Sequence, residues 1–301
     1  MDTTLLEAAR RYADAHVDAD GVARTPIPGL VILRETAPTP LQYAISKPLV
    51  ALVLQGSKRV STGARTFDFG AAESLLITAD VPTVSQITQA SLDKPYYSIV
   101  VELDPVVISA LIDDIGTAPF MAGMPVRVDP TEVEVADTAT RLLRLLDRPA
   151  ALPVLRDQLI RELHYWLLCG QHGGAVRALG VNDGHAGRIA RAVEMIRSNF
   201  RTPLRMEQLA DAAGMSMSAF HAHFRSATSL SPLQFQKQLR LIEARRTMLA
   251  DGATIANAAF AVGYESVQQF TREYSRVFGQ PPGRDIRTAR IASRAALPLH
   301  R

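Results

Sequence analysis

A single cysteine, Cys169, stands in a chain of 301 residues. No disulfide can therefore close within it, and a reducing, cytoplasmic compartment fits. Histidine is missing from the whole stretch 17–163, because the seven are at 16, 164, 172, 185, 221, 223 and 300. That stretch cannot build the imidazole site that iron, copper or zinc prefers. Asp and Glu are scattered there without a paired-carboxylate signal, and no glycine-rich phosphate loop or nucleophile elbow appears. Gly63-Ala64 and Gly70 read as turns. Cys169, His164 and His172 lack regular ligand spacing and are expected as a buried thiol and surface histidines. His221 and His223, two apart, diverge on a helix. No run reaches the roughly 18 apolar residues of a membrane span. Residues Met1–Glu7 lack the basic and apolar regions of a signal peptide. These absences predict no metal, no cofactor, no membrane partner and no enzyme.

Charge is distributed unevenly. Residues 1–180 hold 16 basic against 21 acidic residues, and residues 181–301 hold 17 against 9. A basic C-terminal segment on a mildly acidic one suggests a polyanion-binding module carried by a second domain. Residues 5–16 form an amphipathic helix pattern. From about Gly29 short Val/Ile/Leu/Thr runs alternate with turn residues: Leu49–Leu54, Arg59–Thr62, Thr66–Phe69, Ser74–Thr78, Thr83–Thr88 and Tyr96–Leu103. Strands this short and close predict a closed barrel or a sandwich. After Pro105 the period turns helical over Val106–Ile115, Thr131–Leu146 and Leu152–Leu168. The apolar stripe of the last two either pairs two subunits or covers the barrel. Six glycines between 170 and 187 predict a flexible linker. From Arg188 onward the pattern is helical.

Two segments of that helical region match each other, Met206–Thr228 and Thr254–Phe278. Phe220 and Phe270, Phe224 and Tyr274, and Pro232 and Pro282 each lie 50 residues apart, and Gly214 and Gly263 lie 49 apart. Each half has the layout of a helix-turn-helix. A short Ala- and Leu-rich helix allows close crossing, and a glycine supplies the left-handed turn. Ser216 or Ser266 then caps the next helix, which an i,i+4 aromatic pair anchors inward. The opposite face is left for the major groove. Between the halves, Ser231-Pro232 starts a long helix, whose Leu233, Leu239, Ile242 and Leu249 are expected to pack the two halves together.

Residues 188–288 resemble the AraC/XylS-type DNA-binding domain. The resemblance is carried by Leu209-Ala210, Gly214-Met215-Ser216, Leu239-Arg240…Ala244-Arg245…Leu249, Ile255…Ala258-Ala259…Gly263-Tyr264…Ser266 and Phe278-Gly279-Gln280-Pro281-Pro282. Ser229 departs from the pattern, where a glycine like Gly279 is usual. Residues 28–112 resemble the N-terminal domain of one AraC-type subgroup, through Pro48–Lys58, Asp80-Val81-Pro82-Thr83, Pro95-Tyr96-Tyr97 and Leu103-Asp104-Pro105. This second resemblance implies a cupin-like β-barrel used for sensing or dimerisation.

The fold class that follows is α+β, an N-terminal cupin-like β-barrel with flanking helices and a C-terminal all-α double helix-turn-helix domain. Its expected bounds are 1–170 for the barrel domain, 171–187 for the linker and 188–290 for the DNA-binding domain, with units at 206–227 and 254–278. The family positions imply base contacts from Ser218, His221 and Ala222 in the first unit. Val267, Gln268, Thr271 and Arg272 are their equivalents in the second. Arg225, Lys237 and Arg276 are expected on phosphates, which position without specifying. Tyr43, Phe67, Tyr96 and Tyr97 are expected to line an effector pocket. The partners implied are double-stranded DNA, a small organic effector, a second copy of the chain and RNA polymerase. The alternative function is a small-molecule-binding or catalytic barrel with a structural helical tail.

Overall fold

A computed structural model describes residues 4–62, 65–116, 125–171, 173–181 and 184–295. Contacts divide the chain into two units, Met1–Arg188 and Ile189–Arg301. The expected Gly63-Ala64 turn and His172 lie outside the described residues.

The first unit opens with α1 (Leu5–His16), capped by Thr4 and Glu7 in a reciprocal box. Nine strands follow: β1 (Val22–Arg24), β2 (Leu30–Glu35), β3 (Gln42–Ser46), β4 (Leu49–Gln55), β5 (Ser57–Thr62), β6 (Arg65–Gly70), β7 (Glu73–Ile77), β8 (Val81–Gln89) and β9 (Tyr96–Glu102). Then come α2 (Pro105–Ile115), β10 (Val126–Pro130), α3 (Val133–Leu145), α4 (Leu152–Cys169) and α5 (Gly173–Gly180). All strand pairs are antiparallel, in two sheets ordered β1-β2-β9-β4-β7-β10 and β3-β8-β5-β6. Gly56, at φ +82°, turns the chain from β4 in one sheet into β5 in the other.

Strand alternation sorts this unit into two cores. Val53, Val60, Phe69, Leu75, Ile87 and Tyr96 meet between the sheets. Val50, Leu52, Tyr97, Ile99 and Val101 face the other way, against Ala8 and Ala9 of α1, Leu142 of α3 and Leu163 of α4. On this side α1 packs against β1, β2, β4 and β9, and the α3–α4 stripe joins the same core, with α3 against α1 and α4 against α2.

Several local expectations are corrected. Residues 173–180 were expected within a flexible linker, but they form α5, whose Val176 and Leu179 join the helical core. Gly173 and Gly180 serve close approach rather than flexibility. A Cβ on Gly180 would come within 2.6 Å of Ile108 Cγ2 and 2.8 Å of the Ser109 nitrogen. His164 is not on the surface: it is fully buried. Its Nε2 accepts the Asp104 N–H at 2.9 Å, so Nδ1 carries the proton and donates to the Ile160 carbonyl at 2.7 Å. Burial holds its pKa below the usual histidine value. Cys169, expected buried, is exposed at the end of α4. β10, for which no strand was expected, pairs with β7 as an edge.

The second unit contains most of α6 (His185–Asn199), then α7 (Met206–Ala212), α8 (Met217–Thr228), α9 (Pro232–Ala250), α10 (Ile255–Ala261), α11 (Val267–Phe278) and α12 (Pro282–Ala295). α9 packs against α8, α10, α11 and α12. The stripe expected on α9 is not the one it buries. Leu233 is 53% exposed, whereas Phe235, Gln236, Leu241, Ala244 and Met248 are buried. A central helix touched from several sides has no single apolar face, so periodicity cannot identify its core positions.

Candidate DNA interface

Each helix pair is built from local chemistry that recurs. In the first, Gly214 at φ +57° ends α7, and the Ser216 hydroxyl accepts from the Ala219 N–H at 3.4 Å to cap α8. In the second, Thr254 caps α10 through the Asn257 N–H, and Gly263 turns at φ +88°. Ser266 caps α11 through the Gln269 N–H at 3.4 Å. A side chain at 263 would also strike the Arg201 carbonyl, so this glycine answers to both torsion and space.

Aromatic residues fix the inner faces. Phe220 and Phe224 are fully buried, with rings 5.5 Å apart, and Phe224 meets Phe235 of α9 edge-on at 5.7 Å. Phe270, Tyr274 and Phe278 form the matching ladder, with centroids 5.4 and 4.2 Å apart. At about 100° per residue, Arg272 falls opposite the midpoint of Phe270 and Tyr274, and Ala222 opposite that of Phe220 and Phe224. Ser218, His221, Ala222 and Arg225 are exposed on α8, as are Gln268, Arg272 and Arg276 on α11. Val267 and Thr271 flank that face and are half-buried, and the Thr271 hydroxyl donates to the Val267 carbonyl at 2.8 Å. Lys237 is less available: its ammonium pairs with Glu273 at 2.8 Å. The Lys237 charge, with the Tyr264 hydroxyl, holds the Glu273 carboxyl below its usual range despite burial.

The helix ends differ between the halves. α11 ends on Gly279 at φ +75°, and α8 ends on Ser229 at φ +62°. A left-handed residue with a Cβ costs about 1–2 kcal/mol, against about 0.5–1 kcal/mol for the extra chain entropy of glycine. Ser229→Gly is therefore expected to stabilise this unit by about 0.5–1 kcal/mol. Urea denaturation followed by circular dichroism checks it, and an unchanged or lowered midpoint counts against strain at this site.

Two side-chain networks behind the interface were not expected. Asp285 is buried and accepts from Arg245 at 2.8 Å, from the Tyr274 hydroxyl at 2.6 Å and from Gln280 at 3.3 Å. Burial opposes ionisation, but Arg245 and these donors hold its pKa below the usual aspartate value. Arg240 donates to the carbonyls of Phe200 at 2.6 Å, Gly263 at 2.9 Å and Thr202 at 3.1 Å. Buried Gln236 adds bonds to the Phe200 and Thr202 carbonyls.

The four aromatic residues expected around an effector are not brought together. Tyr96 faces the inter-sheet core, with Phe67 packed against that core. Tyr97, its neighbour on the strand, faces the helices and donates to Asp14 of α1 at 2.6 Å. Period-2 alternation makes it impossible for both rings to line one pocket. Tyr43 is half-buried on β3. Among the described residues no cluster of three His, Cys, Asp or Glu could hold a metal ion.

Known proteins share both parts of this arrangement. The family described as AraC-type transcriptional regulator N-terminus matches residues 26–175, and the helix-turn-helix domain family matches residues 209–288. The HTH-type transcriptional activator RhaS of Yersinia pestis bv. Antiqua (strain Angola) is 24% identical over 108 residues, 36% of this chain and 39% of its own length. The match thus spans well under half of that curated relative. Among solved structures, ToxT from Vibrio cholerae aligns with a TM-score of 0.58 and 9% identity, over 85% of this chain and 97% of its own. ToxT from strain SCE256 with an unsaturated fatty acid bound gives 0.54 and 9%, over 86% and 93%. At such identity the likeness is one of fold.

Proposed function

We infer the function from one premise: this chain belongs to the AraC-type transcriptional regulators, by its N-terminal domain and its helix-turn-helix domain alike. It is a DNA-binding transcription regulator with an N-terminal domain. Our proposal for the readout is that α8 and α11 enter successive stretches of the major groove. Ser218, His221 and Ala222 then face bases in one unit, and Val267, Gln268, Thr271 and Arg272 in the other. The observation that carries this reading is the segregation on each helix, with aromatic rings buried on one side and these residues exposed or flanking on the other.

Readout is uneven. Gln268 suits adenine and Arg272 suits guanine, each in bidentate geometry, whereas Ala222 offers only a methyl contact to thymine. Arg225 and Arg276 contact phosphate. Lys237 does so less strongly, because Glu273 competes for its charge. Arg272→Ala is expected to weaken specific binding by about 1–3 kcal/mol and to relax preference at one base position. Binding-site selection with the purified variant tests this, and wild-type affinity with unchanged base preference would overturn it.

The N-terminal domain is proposed to take a small organic effector in its inter-sheet interior. The fatty-acid complex of ToxT supports that coarse reading for this fold. A second copy of the chain is the partner proposed for the outer helical layer, where Val133, Val154 and Leu155 remain exposed. RNA polymerase is the proposed target of the DNA-bound form. The catalytic alternative draws no support from relatives that are themselves transcription activators.

A further inference from the structure

The inter-sheet interior carries a charge that packing does not require. Lys58 lies on β5 two residues before Val60, so strand alternation turns both toward the inter-sheet core. Its cross-strand neighbours, Phe69 and Ile87, both belong to that core. Among the described residues, no hydrogen bond or ion pair reaches the Lys58 ammonium. Burial alone pushes its pKa down to about 8, and no carboxylate acts in the opposite sense. The residue keeps partial access to solvent, so the ammonium is desolvated on most sides without being sealed.

Two hydroxyls in the same interior are also unpaired. Tyr96 and Ser98 are 0% exposed, and neither hydroxyl has a hydrogen-bond partner of good geometry. They lie near enough to influence one another without bonding. Tyr96 faces the inter-sheet core while Tyr97 and Ile99 face the helices, so Ser98 shares the inward face with Tyr96. The Tyr96 ring lies against Gly56, where an added Cβ would come within 3.1 Å of Cδ2. Gly56 precedes Lys58 by two residues, so lysine and tyrosine share one end of the interior.

Two unmatched hydroxyls in an apolar core, with a largely desolvated ammonium at its edge, are unfavourable, and apolar residues of similar volume would be more stable. The arrangement is complementary to an anion. A carboxylate has two oxygens to accept from the lysine and both hydroxyls, and the aliphatic walls suit an apolar body. One cation matches a monoanion; a phosphate dianion calls for more charge.

We propose that the inter-sheet interior binds a small apolar monocarboxylate, held at its charged end by Lys58, Tyr96 and Ser98. This deepens the effector reading of the N-terminal domain and rests on it. The test uses the full chain with decanoate and the uncharged decanamide. Calorimetry measures binding, and trace acetylation read by mass spectrometry reports each of the four lysines, Lys47, Lys58, Lys94 and Lys237. Decanoate is expected to bind, to protect Lys58 but not Lys94, and to exceed decanamide by on the order of 100-fold. Lys58→Met is expected to lose that preference while melting higher than wild type without ligand. Tyr96→Phe, which removes only a hydroxyl, is expected to weaken decanoate binding and leave decanamide unchanged. Equal binding of acid and amide, or a preference that survives Lys58→Met, overturns the anion site and leaves the effector pocket standing. Binding of neither probe at millimolar concentration overturns both.

Discussion

Asp285→Ala is expected to destabilise the DNA-binding unit by about 3–5 kcal/mol, the range for removing one partner of a buried ion pair. The reason is what the carboxylate leaves behind. Arg245 is only 15% exposed, and its charge would lose the carboxylate at 2.8 Å. The Tyr274 hydroxyl, in a fully buried residue, would lose its acceptor at 2.6 Å. Those contacts join α9, α11 and α12, so α11 loses the support behind its outer face. Asp285→Asn keeps an acceptor but not the charge, and about 1–3 kcal/mol is expected. The lone tryptophan, Trp166, belongs to the first unit, so fluorescence reports that unit alone. Hydrogen exchange of peptides from α11 and α12 reports the second. Faster exchange there with an unchanged tryptophan transition is the expected pattern, and exchange at the wild-type rate in Asp285→Ala would refute it.

The same carboxylate gives this unit a pH dependence of defined sign. Its pKa in the folded state lies below the ordinary aspartate value. The stabilisation is therefore complete above the ordinary value, near 4, and is lost as pH falls through it toward the folded pKa. Asp285→Asn is expected to flatten the acid limb of the unfolding curve.

Whether an element was legible in the sequence depended on how local its cause is. The paired helix-turn-helix units could be read because glycine, capping serine and aromatic pair act within about two dozen residues of one another, and then recur. The buried Asp285 network could not. Arg245 and Asp285 are 40 residues apart, and neither differs in sequence from a surface charge. Residues 173–180, which form α5 inside the glycine-rich stretch, could not be read as a helix for a related reason. Composition signals missing side chains, but it does not distinguish freedom from the close contact that Gly180 makes with α2. Adjacent Tyr96 and Tyr97 share a residue type that suits an effector pocket, but strand alternation alone places them on opposite faces. Lys58 lay inside a quoted motif, yet its significance depends on Phe69 and Ile87 across two strand pairings.

Arg240→Ala is expected to cost about 2–4 kcal/mol and to impair the second helix-turn-helix more than the first. Its guanidinium bonds three carbonyls, at Phe200 and Thr202 after α6 and at Gly263 in the second turn. Bonds from a charged donor are worth about 1.5–3 kcal/mol each, but partial exposure lets water replace some of them. The guanidinium carbon also stands 5.9 Å from the centre of the Tyr264 ring, the residue that follows the turn. Burial lowers its pKa without threatening a charge that ordinarily titrates far above neutrality. Gln236 still ties Phe200 and Thr202 to α9 when Arg240 is lost, whereas Gly263 loses its side-chain donor. The turn before α11 is therefore the part expected to loosen. A base-resolved footprint should weaken at the half-site of α11, where Arg272 and Gln268 are proposed to read, and persist at that of α8. Arg240→Lys discriminates the cause, because an ammonium on a flexible stem cannot fork to three fixed carbonyls. An intermediate loss is expected from it. Wild-type stability and footprint in Arg240→Lys would mean that charge alone, not the forked geometry, holds the second turn.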